Sequence, residues 1–167
     1  MKKLSIVILS FNVKTKLLAC LKSLPQHVDW EIIVVDNAST DGSAAIADIK
    51  NPVNIGFAAG NNVGIKKSTG QFVLLLNPDT IVYPNTIETI LKYMEEHPDV
   101  GAATCRVELP DGSLDYSCHR GFPTPWGALL HFLGLRSFSN YTSQNISNTI
   151  HEIDSLTGAF ALIRRTA

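Results

Sequence analysis

The sequence has no run approaching the roughly 20 consecutive apolar residues of a membrane-spanning helix. Its first ten residues, Met1-Lys-Lys-Leu-Ser-Ile-Val-Ile-Leu-Ser10, have too short an apolar part for a signal peptide and no small-residue cleavage site after it. The expected location is therefore the cytoplasm, free or at a membrane surface. Cysteine is scarce, at three residues, and Cys20, Cys105 and Cys118 show no Cys-x-x-Cys spacing, which argues against a zinc site. Excess positive charge is missing as well. Lys plus Arg total 14 against 15 Asp plus Glu, so no broad nucleic-acid footprint is expected. The first apolar run is followed by Ser10-Phe-Asn-Val-Lys14, which lacks the glycines of a dinucleotide-binding turn, and Gly64-Ile-Lys-Lys-Ser68 does not fit a phosphate-binding P-loop.

What is present is a globular composition of 167 residues, 45% hydrophobic and 17% charged, enough for one domain with a real core. Residues 72–76 are a short unbroken apolar run, the pattern of a strand buried on both faces, and the mainly apolar residues 4–9 and 31–36 read as further strands. Leu17, Leu18, Leu21 and Leu24 recur at helical spacing before Pro25, and Ile87, Ile90, Leu91 and Met94 do so between Pro84 and Pro98. Residues 57–67 are expected to be helical despite Gly60 and Gly64, and residues 44–49 to form a short helix capped by Asp41 or Ser43. This alternation predicts an α/β fold with a largely parallel sheet.

Beyond residue 100 the pattern changes. Asp111-Gly112 predicts a two-residue hairpin turn that sets Leu109 opposite Leu114, Val107 opposite Tyr116 and Cys105 opposite Cys118, the cysteines reduced. A one-residue slip of register would remove that pairing. Residues 126–135 read as a buried, partly helical apolar segment, 137–148 as a polar loop, 150–156 as a strand and 158–163 as an apolar run. His27, His97, His131 and His151 read as surface or satisfied polar groups.

Two carboxylates end strands. Asp36 closes the run Glu31-Ile-Ile-Val-Val-Asp36, and Asp79 follows Phe72-Val-Leu-Leu-Leu-Asn-Pro-Asp79, where Pro78 must stop the ladder. In a parallel sheet both lie on the edge where α/β folds bind ligands. Asp36 could accept a hydrogen bond from a base N–H or a ribose hydroxyl. Asp79 could ligate Mg²⁺ or Mn²⁺, hard cations that bridge a carboxylate to phosphates. The competing reading is that each merely caps a turn.

Five segments in order carry a family resemblance: Ser5-Ile-Val-Ile-Leu-Ser-Phe-Asn12, Ile32-Ile-Val-Val-Asp-Asn-Ala-Ser-Thr-Asp-Gly-Ser43, Asn54-Ile-Gly-Phe-Ala-Ala-Gly-Asn-Asn62, Leu74-Leu-Leu-Asn-Pro-Asp-Thr80 and the stretch from Thr157-Gly-Ala-Phe to Arg165. Together they resemble family 2 glycosyltransferases, nearest the bacterial rhamnosyltransferase-like branch. The resemblance implies a GT-A (nucleotide-diphospho-sugar transferase-like) fold, with helices on both faces of a mostly parallel central sheet and an incomplete C-terminal part. Residues 1–100 would be the nucleotide-sugar-binding half and 101–167 the start of the acceptor-binding part. It implies inverting transfer of a sugar, a deoxysugar such as rhamnose being one candidate, from a nucleoside diphosphate to a saccharide or lipid-linked acceptor, as in polysaccharide biosynthesis. Ser10, Phe11 and Asn12 would line the nucleoside pocket, Asp36 would contact the base with the loop through Asp41 nearby, and Asn61 would border the donor. Asn77-Pro78-Asp79 stands where the family has Asp-x-Asp. Asn77 is a neutral, weaker ligand, so the metal would rest on Asp79.

The family's general base follows the Gly-Ala-Phe segment. It is expected after Ala167, with Asp154 an acceptor-side or structural residue. The resemblance thus implies an amino-terminal fragment that binds donor and metal and transfers sugar poorly, with peripheral membrane association and self-association through residues 126–135 as possibilities. Arg164-Arg165 could bind acceptor or pyrophosphate, and His119-Arg120 could reach the phosphates. The alternative is a non-catalytic nucleotide-sugar-binding module on the same fold.

Overall fold

The computed structural model describes residues 2–115, 124–133 and 149–167. Two compact units are present, Met1–Thr104 together with Gly158–Ala167, and Cys105–Thr157. The first holds the whole sheet.

Strand β1, Leu4–Ser10, is buried along its full length. It runs parallel to β2, Trp30–Asp36, on one side and to β4, Phe72–Leu76, on the other. Two-sided pairing and two covered faces explain why these runs have no polar alternation. The sheet order is β3-β2-β1-β4-β6-β5, with β3 (Ile49–Lys50) parallel to β2, and β6 (Phe160–Arg164) antiparallel to both β4 and β5 (Ala102–Ala103). Helix α1 spans Lys14–Ser23, α2 Phe57–Lys67 and α3 Thr86–Glu96. The chain leaves β1 for β2 in one direction and then returns across β1 to β4. Right-handed crossovers therefore put α1 and α2 on opposite faces. Helix α2 lies so close to the sheet that a Cβ on Gly64 would meet Val7 Cγ1 at 2.4 Å, which is why a glycine stands mid-helix.

Several expectations are corrected. Residues 44–49 are not a helix. A single 3₁₀ turn, Ser43–Ala45, leads into the edge strand β3, where Val35 pairs with Ile49 and Asp36 with Lys50. Six residues cannot repay helix nucleation, whereas Asp48 Oδ2 accepts the Val34 N–H and the edge of β2 gains a partner. The Asp111-Gly112 hairpin is slipped by one residue: Glu108, not Leu109, bridges Leu114. The loop has three residues, closed by Leu109 N–H to Ser113 O and Gly112 N–H to Leu109 O, with Gly112 at φ +81°. Pro110 sits at the position its ring favours and Gly112 in the left-handed one, the geometry of a turn followed by a bulge. That register removes the basis for opposing Cys105 to Cys118; Tyr116, Cys118, His119 and Arg120 lie outside the described residues. Residues 150–156 form no continuous strand. Helix α4, Pro125–Phe132, forms within the 126–135 segment, but Trp126, Leu129, Phe132 and Leu133 are exposed rather than buried. No helix among the described residues is long and apolar enough to cross a membrane.

Arg164 and Arg165 serve the fold. Arg164 pairs with Phe72 at the amino end of β4, the edge away from the strand-end carboxylates. Its guanidinium donates to Met94 O, His97 O and Val100 O at the end of α3 and stacks over Phe72 at 5.0 Å. Arg165 donates to Gly70 O and Ser68 Oγ. At that same edge Glu31 Oε1 accepts from Ser5 Oγ, Thr69 N–H and Thr69 Oγ1 at 2.6–2.8 Å. Burial pushes its carboxyl up, but these hydrogen bonds outweigh burial and hold it below the ordinary glutamate range. A depressed folded value means the stabilisation is complete above the unfolded pKa and is lost as pH falls through the folded one. Glu31→Gln is therefore expected to cost about 1 kcal/mol at pH 7, reduced by partial exposure. The difference between the two proteins should shrink below the ordinary glutamate range, as urea midpoints at pH 7 and pH 3 will show.

Candidate functional site

Because β1, β2 and β4 are parallel, their carboxyl ends share one edge. Ser10 pairs with Asp36 there, so the two side chains stand next to each other on one face. Ile8 pairs with Leu76, and the turn Asn77–Thr80 follows immediately. It is closed by Thr80 N–H to Asn77 O, with Pro78 in its second position and Asp79 in its third. The chain reverses its direction of travel across the sheet between β1 and β4, which opens a crevice at this edge.

Asp36 is 1% exposed. Its Oδ2 accepts the Ser39 N–H at 2.9 Å. Among the described residues its Oδ1 has no hydrogen-bond partner, and neither has the fully buried Ser10 Oγ. Buried polar atoms are nearly always paired, and leaving one unpaired costs about 1–3 kcal/mol. Two of them stand side by side at one sheet edge, and the described residues supply a partner to neither.

The loop around Asp36 is over-determined. Ala38 has φ +65° and Asn12 φ +54°, left-handed conformations that cost about 1–2 kcal/mol in a residue with a Cβ. Asn12 Oδ1 accepts Thr40 N–H at 2.8 Å, and Ser39 Oγ accepts Asn12 N–H at 2.9 Å, tying the β1–α1 turn to the loop after β2. Asp41 Oδ2 takes the Lys14 N–H at the start of α1 at 2.8 Å, and its Oδ1 takes Ser43 N–H and Oγ. The Ser43 hydroxyl first, then the two N–H groups, hold the Asp41 carboxyl below its usual range. Asp41 thus caps α1, not a helix after Ser43, and both its oxygens are engaged by the chain.

Sequence reading missed Asn37, which organises the opposite wall. Buried beside Asp36, it donates Nδ2 to Asn54 Oδ1 at 2.7 Å and accepts Asn51 Nδ2 at 3.2 Å and Ile55 N–H at 3.1 Å. The spacing of Asn37, Asn51 and Asn54 was the available signal, three amides with no helical or strand periodicity. Asn61, also buried, spends its Nδ2 on Phe57 O within α2. Phe11 is largely exposed at the end of β1.

Asp79 is exposed, with Lys16 Nζ of α1 at 3.6 Å from its Oδ2. Asn77 anchors the turn through its backbone, donating to Ala159 O and approached by Cys20 Sγ at 3.7 Å. Burial first, and then the Asp79 charge, push the Cys20 thiol up to about 11, so it stays protonated and inert. Among the described residues no group of three or more His, Cys, Asp or Glu could cage a metal. One exposed carboxylate fits a hard cation that brings most of its oxygen ligands with it, as Mg²⁺ does with phosphates and water. The exposed Lys16 ammonium is a weak, displaceable partner.

Sheet order, strand-end acids and the crevice between β1 and β4 define a nucleotide-sugar-type α/β fold. The sequence matches the family profile described as Glycosyl transferase family 2 over residues 5–167, and the chain belongs to that family. An uncharacterized glycosyltransferase of Haemophilus influenzae is 33% identical over 106 residues, 58% of this chain and 36% of that protein. The poly(ribitol-phosphate) beta-N-acetylglucosaminyltransferase TarS of Staphylococcus aureus is 26% identical over 112 residues, 58% of this chain and 20% of its own length. Among solved structures, the mannosyltransferase PcManGT of Pyrobaculum calidifontis, in complex with GDP-Man and Mn²⁺, superposes with a TM-score of 0.62 at 18% identity, covering 98% of this chain and 45% of that one. TarS in complex with UDP-GlcNAc gives 0.58 at 22%, covering 73% and 37%. These likenesses establish the GT-A fold. The chain spans about a third or less of the length of these two curated relatives.

Proposed function

We propose that this chain is the donor-binding part of an inverting glycosyltransferase. It takes a nucleoside diphosphate sugar at the carboxyl edge of β1, β2 and β4. The observation that carries the reading is the adjacent pair of buried, unpartnered atoms, Asp36 Oδ1 and Ser10 Oγ. A carboxylate oxygen accepts only. It therefore suits a base that offers a ring N–H, as uracil, thymine and guanine do, and Ser10 Oγ can donate to a neighbouring carbonyl. Phe11 and Asn12 follow Ser10 directly and flank that position. Relatives in fold crystallised with UDP-GlcNAc and with GDP-Man and Mn²⁺ are consistent with such a donor.

Asp79, three residues past the end of β4, is the group we assign to the metal and diphosphate, with Asn77 in the same turn. Mg²⁺ or Mn²⁺ there would balance the charge that develops on the departing diphosphate. In the transfer an acceptor hydroxyl oxygen bonds to the anomeric carbon, the bond from that carbon to the diphosphate breaks, and the hydroxyl proton passes to a base. In our reading the acceptor is a saccharide or lipid-linked chain.

Calorimetric titration of UDP-, dTDP- and GDP-sugars with and without Mn²⁺ tests the assignment. The expected result is a donor whose affinity Mn²⁺ raises about tenfold or more in the wild type, on the order of 1.4 kcal/mol. That metal effect should vanish in Asp79→Ala. Binding that ignores both the metal and the substitution would remove Asp79 from the site.

A further inference from the structure

Phe57 is a large apolar side chain that neither the fold nor the donor assignment accounts for. Phe57, the first residue of α2, is 56% exposed. Its backbone is nevertheless held firmly. Gly56 before it adopts φ +84° and ψ 172°, a conformation essentially limited to glycine. Asn54 Oδ1 accepts Gly56 N–H at 2.9 Å, and Phe57 O accepts Asn61 Nδ2 at 3.0 Å. The ring lies against Gly158. A Cβ there would stand 2.8 Å from Cζ and 3.2 Å from Cε1. Gly158 adjoins Ala159, whose carbonyl accepts the Asn77 N–H. Phe57 thus reaches from the α2 side of the crevice to the chain that anchors the Asn77–Thr80 turn. That places the ring beside the segment that anchors the turn carrying Asp79.

An exposed phenyl ring on a fixed backbone costs hydration free energy unless something apolar covers it. Its position relative to Asp79 selects the covering group. With the base at Asp36 and the diphosphate at Asp79, the part of the donor that lies further along the crevice is the hexose. Sugar rings present a face of C–H bonds made electron-poor by the ring oxygens, and an aromatic face carries negative charge density. We propose that the Phe57 ring, backed by the side-chain-free Gly158, forms the wall that receives the C–H face of the donor sugar, and so sets which hexose is accepted. This rests on the donor reading above. A side chain at position 158 would force the ring off its seat, which gives the proposal a second handle at a residue with no side chain of its own.

The test is calorimetric titration of the whole chain in Mn²⁺ with UDP-GlcNAc, GDP-mannose and dTDP-rhamnose, each beside its parent diphosphate. Wild type, Phe57→Ala, Phe57→Leu, Phe57→Tyr and Gly158→Ala are compared, with thermal midpoints to verify folding. For the sugar nucleotide that the wild type binds best, Phe57→Ala and Gly158→Ala should weaken affinity about five- to tenfold, and Phe57→Leu by less. Phe57→Tyr should stay near wild type, and affinity for the matching diphosphate should stay within twofold throughout. Equal losses for sugar nucleotide and diphosphate would assign the ring to the nucleotide and overturn the proposal. So would the absence of any loss. A wild type that binds none of the diphosphates would instead sink the donor reading itself, and this inference with it.

Discussion

Asp36→Asn is expected to lower affinity for the nucleoside diphosphate about 100-fold without lowering the stability of the unliganded chain. The side-chain amide has one acceptor and one donating nitrogen. Its oxygen will keep the Ser39 N–H, the bond that shapes the turn after β2. The nitrogen then replaces Oδ1, which has no partner among the described residues, and presents N–H where the proposed base N–H would arrive. Donor meets donor, and a charge-assisted hydrogen bond of about 1.5–3 kcal/mol becomes a repulsive contact. Together these amount to about 3 kcal/mol, or two factors of ten. Stability should move the other way or not at all, because a buried carboxylate without a cationic partner is costly and a neutral amide is less so. Calorimetry on the nucleotide and urea denaturation of the free chain read the two halves separately. A variant that keeps its nucleotide affinity would show that Asp36 only shapes the loop.

Asn37→Ala should cost about 1–2 kcal/mol of stability, because the groups it leaves unpaired lie where water can partly reach them. The buried Asn37 side chain ties down the part-exposed 51–55 segment, and its removal takes away the partner of Asn51 Nδ2 and of Ile55 N–H, while Asn54 Oδ1 keeps the Gly56 N–H. Each unpaired buried group costs about 1–3 kcal/mol, partly relieved where water can enter. Asn37→Asp is no rescue: it would turn the nitrogen that donates to Asn54 Oδ1 into an oxygen and set acceptor against acceptor. The damage should be local before it is global. Amide exchange at Ile55 and Gly56 is expected to accelerate at denaturant concentrations where the β1 amides remain protected. Uniform acceleration across the sheet would mean that the 51–56 segment is not held separately by this network.

The elements that sequence reading located well are those whose signal is local and long. β4 is an unbroken apolar run, β1 and β2 are mainly apolar, and α3 repeats Ile87, Leu91 and Met94 at helical spacing, all three buried. The failures have local signals too weak to decide. Six residues after Ser43 suit a short helix and an edge strand equally well until the open edge of β2 is known to be there. An Asp-Gly pair fits both a two- and a three-residue hairpin loop, and Pro110 tips it to the longer one with the register one step over. Helix α4 is apolar enough to be read as core, yet its described apolar side chains are exposed.

At the candidate site the division runs through the acids. The order of residues was sufficient to put Asp36 and Asp79 at the ends of parallel strands, because strand ends and proline stops are properties of a short segment. It was sufficient also to recognise the family. Which acids have oxygens to spare was settled only in three dimensions. Asp41 is engaged by Lys14, 27 residues away, and by Ser43, whereas Asp36 keeps one oxygen without a partner beside Ser10. Arg164, at the far edge of the sheet, closes α3 through carbonyls as many as 70 residues earlier in the chain. Hydrophobic pattern is written along the chain and is therefore legible one residue at a time. Hydrogen-bond capacity is a competition among groups that meet only after folding, so tertiary structure alone decides which polar atoms are left for a ligand.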